Sequence, residues 1–157
     1  MAFNFNKLTV KAQELVQDAV EIAQNYNNQV VEPEHIFAGI VQNKDNVGIS
    51  IMQKAGINID QMKMKSGEFL ENLPKVSGAG VGNQQMSRNT ADLLDRAAEE
   101  AKNLKDEYVS TEHILIALIE DEGKVGRLLK EKGLSKDMVL KALKDVRGNQ
   151  RVTSQNP

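Results

Sequence analysis

The sequence contains no cysteine and no tryptophan, and its 157 residues include only 3 prolines, 2 tyrosines and 4 phenylalanines. The lack of cysteine excludes disulfides, thiolate metal sites and cysteine nucleophiles. The scarcity of aromatic residues leaves aliphatic side chains and methionine to build the core. Because Pro33, Pro74 and Pro157 all lie outside the long periodic segments, the composition is typical of an all-α protein.

An excess of charge of one sign is also missing. The 20 Lys and Arg residues nearly balance the 22 Asp and Glu residues, which leaves a net charge of -2. A general nucleic-acid binder would carry a basic excess or stripe, so this class is excluded. No apolar run approaches the roughly 20 residues of a membrane-spanning helix, and the N-terminus lacks the basic and apolar regions of a secretory signal. We therefore expect a cytoplasmic protein that contacts neither nucleic acid nor membrane.

An internal repeat organises the chain. Residues 8–48 match residues 86–126 at a constant offset of 78 positions, and the match continues to Gly56 and Gly133 after a single-residue deletion. Clear pairs are Leu15 and Leu93, Ala19 and Ala97, Glu34 and Glu112, His35 and His113, and Gly48 and Gly126. We therefore predict a first repeat over residues 1–73, a glycine-rich flexible connection over residues 74–85, a second repeat over residues 86–147, and a linker over residues 148–157 that leads to a further domain.

The sequence pattern predicts four helices in each copy. Thr9 and Ser87 are good N-caps for long first helices whose apolar residues recur at helical spacing. Pro33 suits the first turn of a second helix, and Ser110 caps its counterpart. Third helices are predicted over residues 46–55 and 124–132, each ended by a glycine that can adopt positive φ, and fourth helices follow them. The predicted fold is all-α, with two four-helix repeats, about eight helices in total, related by a pseudo-twofold axis.

The two histidines, His35 and His113, each follow a glutamate, Glu34 or Glu112, at the start of a second helix. A metal or acid–base site would need further ligands close by, and the sequence supplies none there. The alternative, which we favour, is a structural histidine that packs under the preceding loop and bonds to the backbone. The glutamates either complement the helix dipole or form a polar rim that accepts basic groups of a ligand. Asp106 extends this acidic edge in the second copy.

Catalytic patterns are missing. Ser110 is better explained as an N-cap than as a nucleophile, and no triad is predicted. The glycine-rich stretch lacks the lysine and hydroxyl residue of a phosphate-binding loop. We therefore predict neither enzymatic activity nor a cofactor or metal for this segment.

Apolar surface points instead to binding. Most of the methionines should be core, but Val10, Val20, Phe37 and Met64 fall off the main helical stripes. These four residues predict exposed apolar surface along a groove between the two copies, and we expect Val10, Phe37 and Leu94 to contact a ligand there. Packed helical repeats leave such a seam between them.

Four stretches, residues 4–13, 73–78, 104–109 and 146–152, together with Glu-Pro-Glu-His-Ile and Tyr-Val-Ser-Thr-Glu-His-Ile-Leu, resemble the Clp N-terminal repeat domain. The resemblance covers essentially the whole chain and is strongest to the ClpB-type disaggregases of the Hsp100 family. It implies a mobile substrate-engaging domain that precedes two AAA+ ATPase modules. In such a parent, ATP and Mg²⁺ would bind the absent modules, and the hexamer would thread aggregated polypeptide with the DnaK system. The segment by itself should be monomeric.

The resemblance also implies site residues. Positions that contact substrate in the family correspond to Thr9, Asp106 and Glu112. A second alternative comes from ClpC-type domains of protease-partnered relatives, where the acids that correspond to Glu34 and Glu112 bind phosphoarginine. A carboxylate pair suits the guanidinium of such a ligand, and helix N-termini suit its phosphate. Docking of an adaptor, or a spacer without a ligand, are the remaining interpretations.

Overall fold

The computed structural model describes residues 3–77, 84–148 and 151–156, and eight α-helices account for most of them. The first copy contains a short 3-10 helix (Phe5–Lys7) followed by α1 (Val10–Asn25), α2 (Pro33–Gln42), α3 (Val47–Lys54) and α4 (Ile59–Glu71). The second copy contains α5 (Arg88–Asn103), α6 (Thr111–Ile119), α7 (Lys124–Glu131) and α8 (Lys136–Arg147). Two short strands, β1 (Val30–Val31) and β2 (Gln85–Met86), complete these elements. The predicted all-α fold of two four-helix repeats is confirmed.

The predicted helix boundaries hold to within a residue. Thr9 Oγ1 accepts a hydrogen bond from the Ala12 N–H, and Ser87 Oγ accepts one from the Thr90 N–H. Pro33 is the first residue of α2. The glycines that follow the third helices adopt φ of +83° and +84°, the left-handed conformation that glycine adopts without steric cost.

The second helix of each copy forms the centre of the molecule. Every residue of α6 is buried, as are eight of the ten residues of α2. The first helices α1 and α5 pack against α2 and α6, and α2 also contacts α6. A helix that is apolar on all sides is stable only when other elements surround it, which fixes α2 and α6 in the core.

Short extended segments of the two copies pair with each other. β2, just before the second copy, pairs in parallel with β1 of the first copy, with Val31 opposite Met86. The same contact occurs at the repeat-related position, where Leu8 forms a parallel bridge with Val109. The extended residue before the first helix of each copy, Leu8 or Met86, therefore pairs with a residue of the other copy.

Both segments predicted as linkers contact the folded domain. Within the connection over residues 74–85, the Pro74 carbonyl accepts a hydrogen bond from Asn28 Nδ2 and the Val76 N–H donates to the Asn27 carbonyl. Residues 78–83, on which the predicted flexibility rests, lie outside the described part of the chain. Residues 151–156, which we call the tail segment, lie against both copies, and Val152 is only 4% exposed. The backbone of the tail segment therefore has partners in the domain, while a linker over residues 148–157 that leads to a further domain stays a prediction.

Candidate functional site

A cavity of about 510 Å³ lies on the seam between the two copies, and we call it the seam cavity. It is open to solvent at one side and combines apolar walls with a polar rim. Its apolar walls include Val47, Val146 and Val152, and its rim carries hydroxyl, amide, carboxylate and guanidinium groups. The rim residues are Thr9, Lys11, Glu14, Asn43, Asp45, Asn46, Ser50, Ser110, Thr111, Glu112, Arg147 and Arg151.

Thr9 lies where the first helix meets this cavity. Its side chain is 1% exposed and caps α1, while its backbone N–H donates to the Val109 carbonyl at 2.9 Å. Val10 is 40% exposed, and its N–H donates to the carbonyl of Gln155 in the tail segment at 2.6 Å. Thr9 therefore holds the junction of the copies, and Val10 offers apolar surface beside it.

Both histidines are fully buried and make equivalent hydrogen bonds. The Glu32 N–H donates to His35 Nδ1, and the Ser110 N–H donates to His113 Nδ1, both at 2.8 Å. Because Nδ1 is an acceptor, the ring proton resides on Nε2 in each case. His35 Nε2 donates to Asn28 Oδ1 at 2.8 Å, and His113 Nε2 donates to Asp106 Oδ2 at 2.7 Å. Each histidine thus ties the start of a second helix to the loop before it.

Asp106 is the polar centre of the second copy. Besides His113, its carboxylate accepts hydrogen bonds from the Arg147 guanidinium at 2.9 and 3.3 Å and from the Val152 N–H at 2.8 Å. The Asp106 side chain has no exposed surface, and that of Arg147 is 15% exposed. This carboxylate therefore links the loop before α6, the end of α8 and the tail segment.

The environment shifts the pKa values of these groups in different directions. Burial lowers the pKa of His35 to about 4 and also lowers that of His113, so both rings are neutral at pH 7. Burial pushes the pKa of Asp106 upward, but the donors Val152, Arg147 and His113 outweigh it and hold the pKa below its usual value. Asp106 is therefore an anion whose charge is compensated within the domain.

His113 lies within hydrogen-bond distance of both Ser110 and Asp106, although no triad was predicted. Ser110 Oγ lies 3.0 Å from His113 Nδ1 and also accepts the His113 N–H in a capping box. The arrangement is not suited to nucleophilic catalysis, because His113 Nδ1 already accepts the Ser110 backbone N–H and the serine is buried. Among the described residues, no group of three or more His, Asp or Glu side chains could hold a metal ion.

The two glutamates occupy repeat-related places but have different partners. Glu112 is buried, and its carboxylate lies 3.6 Å from Arg147 Nη1 on the rim of the seam cavity. Glu34 is half-buried, and burial raises its pKa, with a smaller contribution in the same direction from the Glu32 and Asp121 charges. A guanidinium of the chain itself therefore faces Glu112.

None of Val10, Phe37 and Leu94, all expected at the groove, lines the seam cavity, although Val10 is exposed close to it. Phe37 and Leu94 are both 0% exposed, and both belong to the main core cluster. The expectation for Phe37 fails because α2 is covered on every side, so a residue off its main stripe is buried as well. Leu94 lies on the face of α5 that packs against the core. Of the other residues off the stripes, Val20 is half-buried, and Met64 is exposed on α4 away from the seam cavity.

Sequence reasoning missed Arg147, Val146 and Val152 as residues of this site. Arg147 and Val146 end α8, and Val152 follows in the tail segment. A usable signal was present in the repeat, because the offset of 78 positions pairs Asn28 with Asp106, and after the single-residue deletion Pro74 pairs with Arg151, the neighbour of Val152. In both copies the chain that follows the fourth helix returns to this loop residue.

Known proteins that are similar to this chain in sequence and those that are similar in structure belong to the same group. The family model described as the Clp repeat (R) N-terminal domain matches residues 7–132. The chaperone protein ClpB of Bacillus cereus is 35% identical over 156 residues, which cover 98% of this chain and 18% of that relative. The chain thus spans about a fifth of the length of the curated relative it matches.

Solved structures share the fold at lower sequence identity. The Hsp104 N-terminal domain from Candida albicans aligns with a TM-score of 0.80 and 24% identity, covering 94% of this chain and 96% of that one. The ClpV N-domain in complex with a VipB peptide aligns with a TM-score of 0.76 and 16% identity, covering 95% of this chain and 92% of that one. In the described part of this chain, no helix has the length and apolar character needed to cross a membrane.

Proposed function

This chain belongs to the Clp repeat N-terminal domain family, and on that premise we propose that it is the substrate-recognition domain of an ATP-dependent protein-disaggregating chaperone. Exposed apolar segments of unfolded or aggregated proteins would dock in the seam cavity. The parent would be a hexameric AAA+ ATPase that binds ATP and Mg²⁺ in its other modules and works with the DnaK system. The proposal assigns this segment binding rather than catalysis.

The seam cavity is the observation that supports this proposal. Val47 and Val146 line it, and Val146 is 42% exposed, so an apolar segment gains buried area there. Its rim supplies Asn, Thr and Ser groups that can hydrogen-bond to an extended backbone. A cavity of about 510 Å³ holds only a few side chains, so docking by one domain should be weak. Six domains in a hexamer would raise the avidity through effective concentration.

The experiment is an amide NMR titration with a permanently unfolded protein, in which we expect resonance shifts around Thr9, Glu112 and Val146. Val146→Glu should weaken the binding roughly tenfold, since it replaces about 1.5–3 kcal/mol of apolar burial by a charge. Met64→Glu is the matched control, because Met64 is also exposed on a helix but does not line the cavity. Equal affinities for the two variants would contradict the proposed site.

The same NMR titration, carried out with a different ligand, distinguishes phosphoarginine docking from the binding of unfolded chains. A phosphoarginine peptide should shift the amide resonances of Glu34 and Glu112 if the domain binds that degron. Arg147 Nη1 already lies 3.6 Å from Glu112, so a ligand guanidinium would have to compete with it. Binding of one folded adaptor but not of generic unfolded chains would favour an adaptor platform, and silence with every ligand would favour a spacer.

A further inference from the structure

We propose that the tail segment is a built-in competitor for the seam cavity: it binds the edge of the cavity as an extended peptide, and a client segment of the same kind must displace it. This inference rests on the proposed function and specifies the ligand more closely. The ligand class is an extended polypeptide with a branched apolar residue at the position of Val152. The contacts of the tail segment itself carry the argument.

The first anchor of the tail segment is the backbone of Val152. Its N–H donates to Asp106 Oδ1 at 2.8 Å, and its carbonyl accepts from the Glu107 N–H at 2.7 Å and the Tyr108 N–H at 3.3 Å. The side chain is buried on the wall of the cavity. Backbone bonds combined with one side-chain pocket are how proteins recognise extended peptides of varied sequence.

The second anchor lies on the first copy. The Gln155 carbonyl accepts the Val10 N–H, while Gln155 Nε2 donates to the Asn6 carbonyl at 2.7 Å and the Leu8 carbonyl at 3.3 Å. Val10 is the first residue of α1, and its N–H has no acceptor within the helix. Any peptide carbonyl could accept this N–H. Since Asp106, Glu107 and Tyr108 belong to the second copy, the tail segment bridges the two sides of the seam.

The repeat indicates which of the two return segments can be released. In the first copy, Asn28 takes the place of Asp106 and holds Pro74, and that segment lies between α4 and β2. That return segment leads directly into β2, which pairs with β1. The described residues of the tail segment form no strand pair, so the anchor in the second copy can open without breaking one.

Few contacts hold the tail segment closed. Val152 is its one buried side chain, whereas Arg151, Thr153, Ser154 and Asn156 are exposed. Ordering a peptide of this length costs conformational entropy, and a single buried valine and a few hydrogen bonds exceed that cost by only a small margin. Segments with so few buried contacts open more readily than the core of a domain. The closed form can therefore compete with a client without excluding it.

The test compares the chain with Val152→Asp and with Thr153→Asp. The first variant places a carboxylate at a buried position whose N–H bonds to Asp106, whereas the second adds the same charge at an exposed neighbour. If the tail segment is closed about 90% of the time, releasing it should tighten binding of a permanently unfolded protein roughly tenfold. Thr153→Asp should bind like the unmodified chain.

A synthetic peptide with the sequence of residues 148–157 provides a readout that needs no client. Added to the Val152→Asp chain, it should shift the amide resonances of Val10, Glu107 and Tyr108 at roughly millimolar concentration, and it should compete with the client. If the peptide does not bind, the inference is overturned, because the docking would then not be ligand-like.

The outcomes separate this inference from the proposed function. Tighter client binding by Val152→Asp alone supports both. Equal binding by all three chains overturns the competitor and leaves the proposed function intact. Weaker binding by Val152→Asp, with an unchanged fold by circular dichroism, makes the tail segment part of the client site and also overturns the competitor. Client binding by none of the chains overturns the proposed function and the competition together.

Discussion

The two histidines show how one local geometry serves a neutral and a charged partner. His35 bonds to Asn28, and His113 bonds to Asp106, at nearly the same distance. A buried carboxylate is tolerated only where its charge is compensated. Arg147 supplies that compensation in the second copy, whereas the neutral amide of Asn28 needs none. The exchange of Asn for Asp therefore goes together with the guanidinium that approaches from α8.

At this scale we predict that acid destabilises the domain through His35. Its pKa falls to about 4 in the folded state, below the 6.5 of an unfolded chain, so the unfolded chain takes up the proton first as the pH falls. The free energy of unfolding should decrease from about pH 6.5 down to about pH 4, by on the order of 3 kcal/mol from this group. Urea denaturation followed by circular dichroism between pH 7 and pH 4 measures the decrease.

His35→Gln is the control, because glutamine at this position can still accept the Glu32 N–H in a capping box but does not titrate. The difference between the two pH profiles isolates His35 from the carboxylates and from His113, whose pKa is also lowered by burial. Parallel profiles for the chain and the variant would show that His35 does not carry this pH dependence.

At the scale of the elements, the turn between α6 and α7 is set by a close backbone approach. A Cβ on Gly126 would overlap the Asp121 carbonyl oxygen and lie 3.1 Å from the Leu118 carbonyl oxygen. Gly48, its repeat-related partner, would instead meet the side chains of Asn46 and Ile40, both at 2.9 Å. Backbone atoms cannot move aside as side chains can, so the two glycines tolerate substitution differently.

We therefore predict that Gly126→Ala lowers the free energy of unfolding by about 3 kcal/mol or more, as overpacking against backbone does. Gly48→Ala should cost less, because a side chain can yield. Gly67→Ala should stabilise the chain by about 0.5–1 kcal/mol, since Gly67 lies inside α4 with nothing within 4 Å of an added Cβ. Urea denaturation of the three variants gives the order of their free energies of unfolding. A Gly126→Ala variant as stable as the unmodified chain would contradict the close backbone approach.

At the scale of the whole molecule, the pairing of extended segments makes the two copies one folding unit. The Leu8–Val109 bridge and the β1–β2 pair each join residues of different copies, and α2 and α6 are in contact in the core. Neither copy can bury its own surface without the other. Separate unfolding of the copies would expose the centre of the core, so the free energy disfavours a half-folded state.

The two tyrosines provide a test of this cooperativity, since Tyr26 lies in the first copy, Tyr108 lies in the second, and the chain has no tryptophan. Tyr108→Phe leaves fluorescence from the first copy only, and Tyr26→Phe leaves it from the second only. We expect the same urea midpoint from both reporters and from circular dichroism. Each variant's own circular dichroism corrects for any change in its stability. Midpoints that differ between the two reporters would show that the copies unfold separately.

The sequence by itself determined the helices, their caps, the repeat and the family. These properties follow from local chemistry and periodic spacing: Thr9 and Ser87 cap because of their hydroxyl groups, and Gly56 and Gly133 end helices because they lack a Cβ. The constant offset that pairs His35 with His113 was enough to predict two related copies, without any knowledge of their contacts.

The tertiary structure alone decided what surrounds each site residue. Phe37 was expected at a groove because it lies off the helical stripe, yet α2 is enclosed and the side chain is buried. Asp106 gained Arg147 and Val152 as partners across 41 and 46 positions of sequence, and the tail segment reached the first copy at Val10. Helical periodicity reports the nearest turns of one chain segment, whereas burial and charge compensation depend on which distant segments meet.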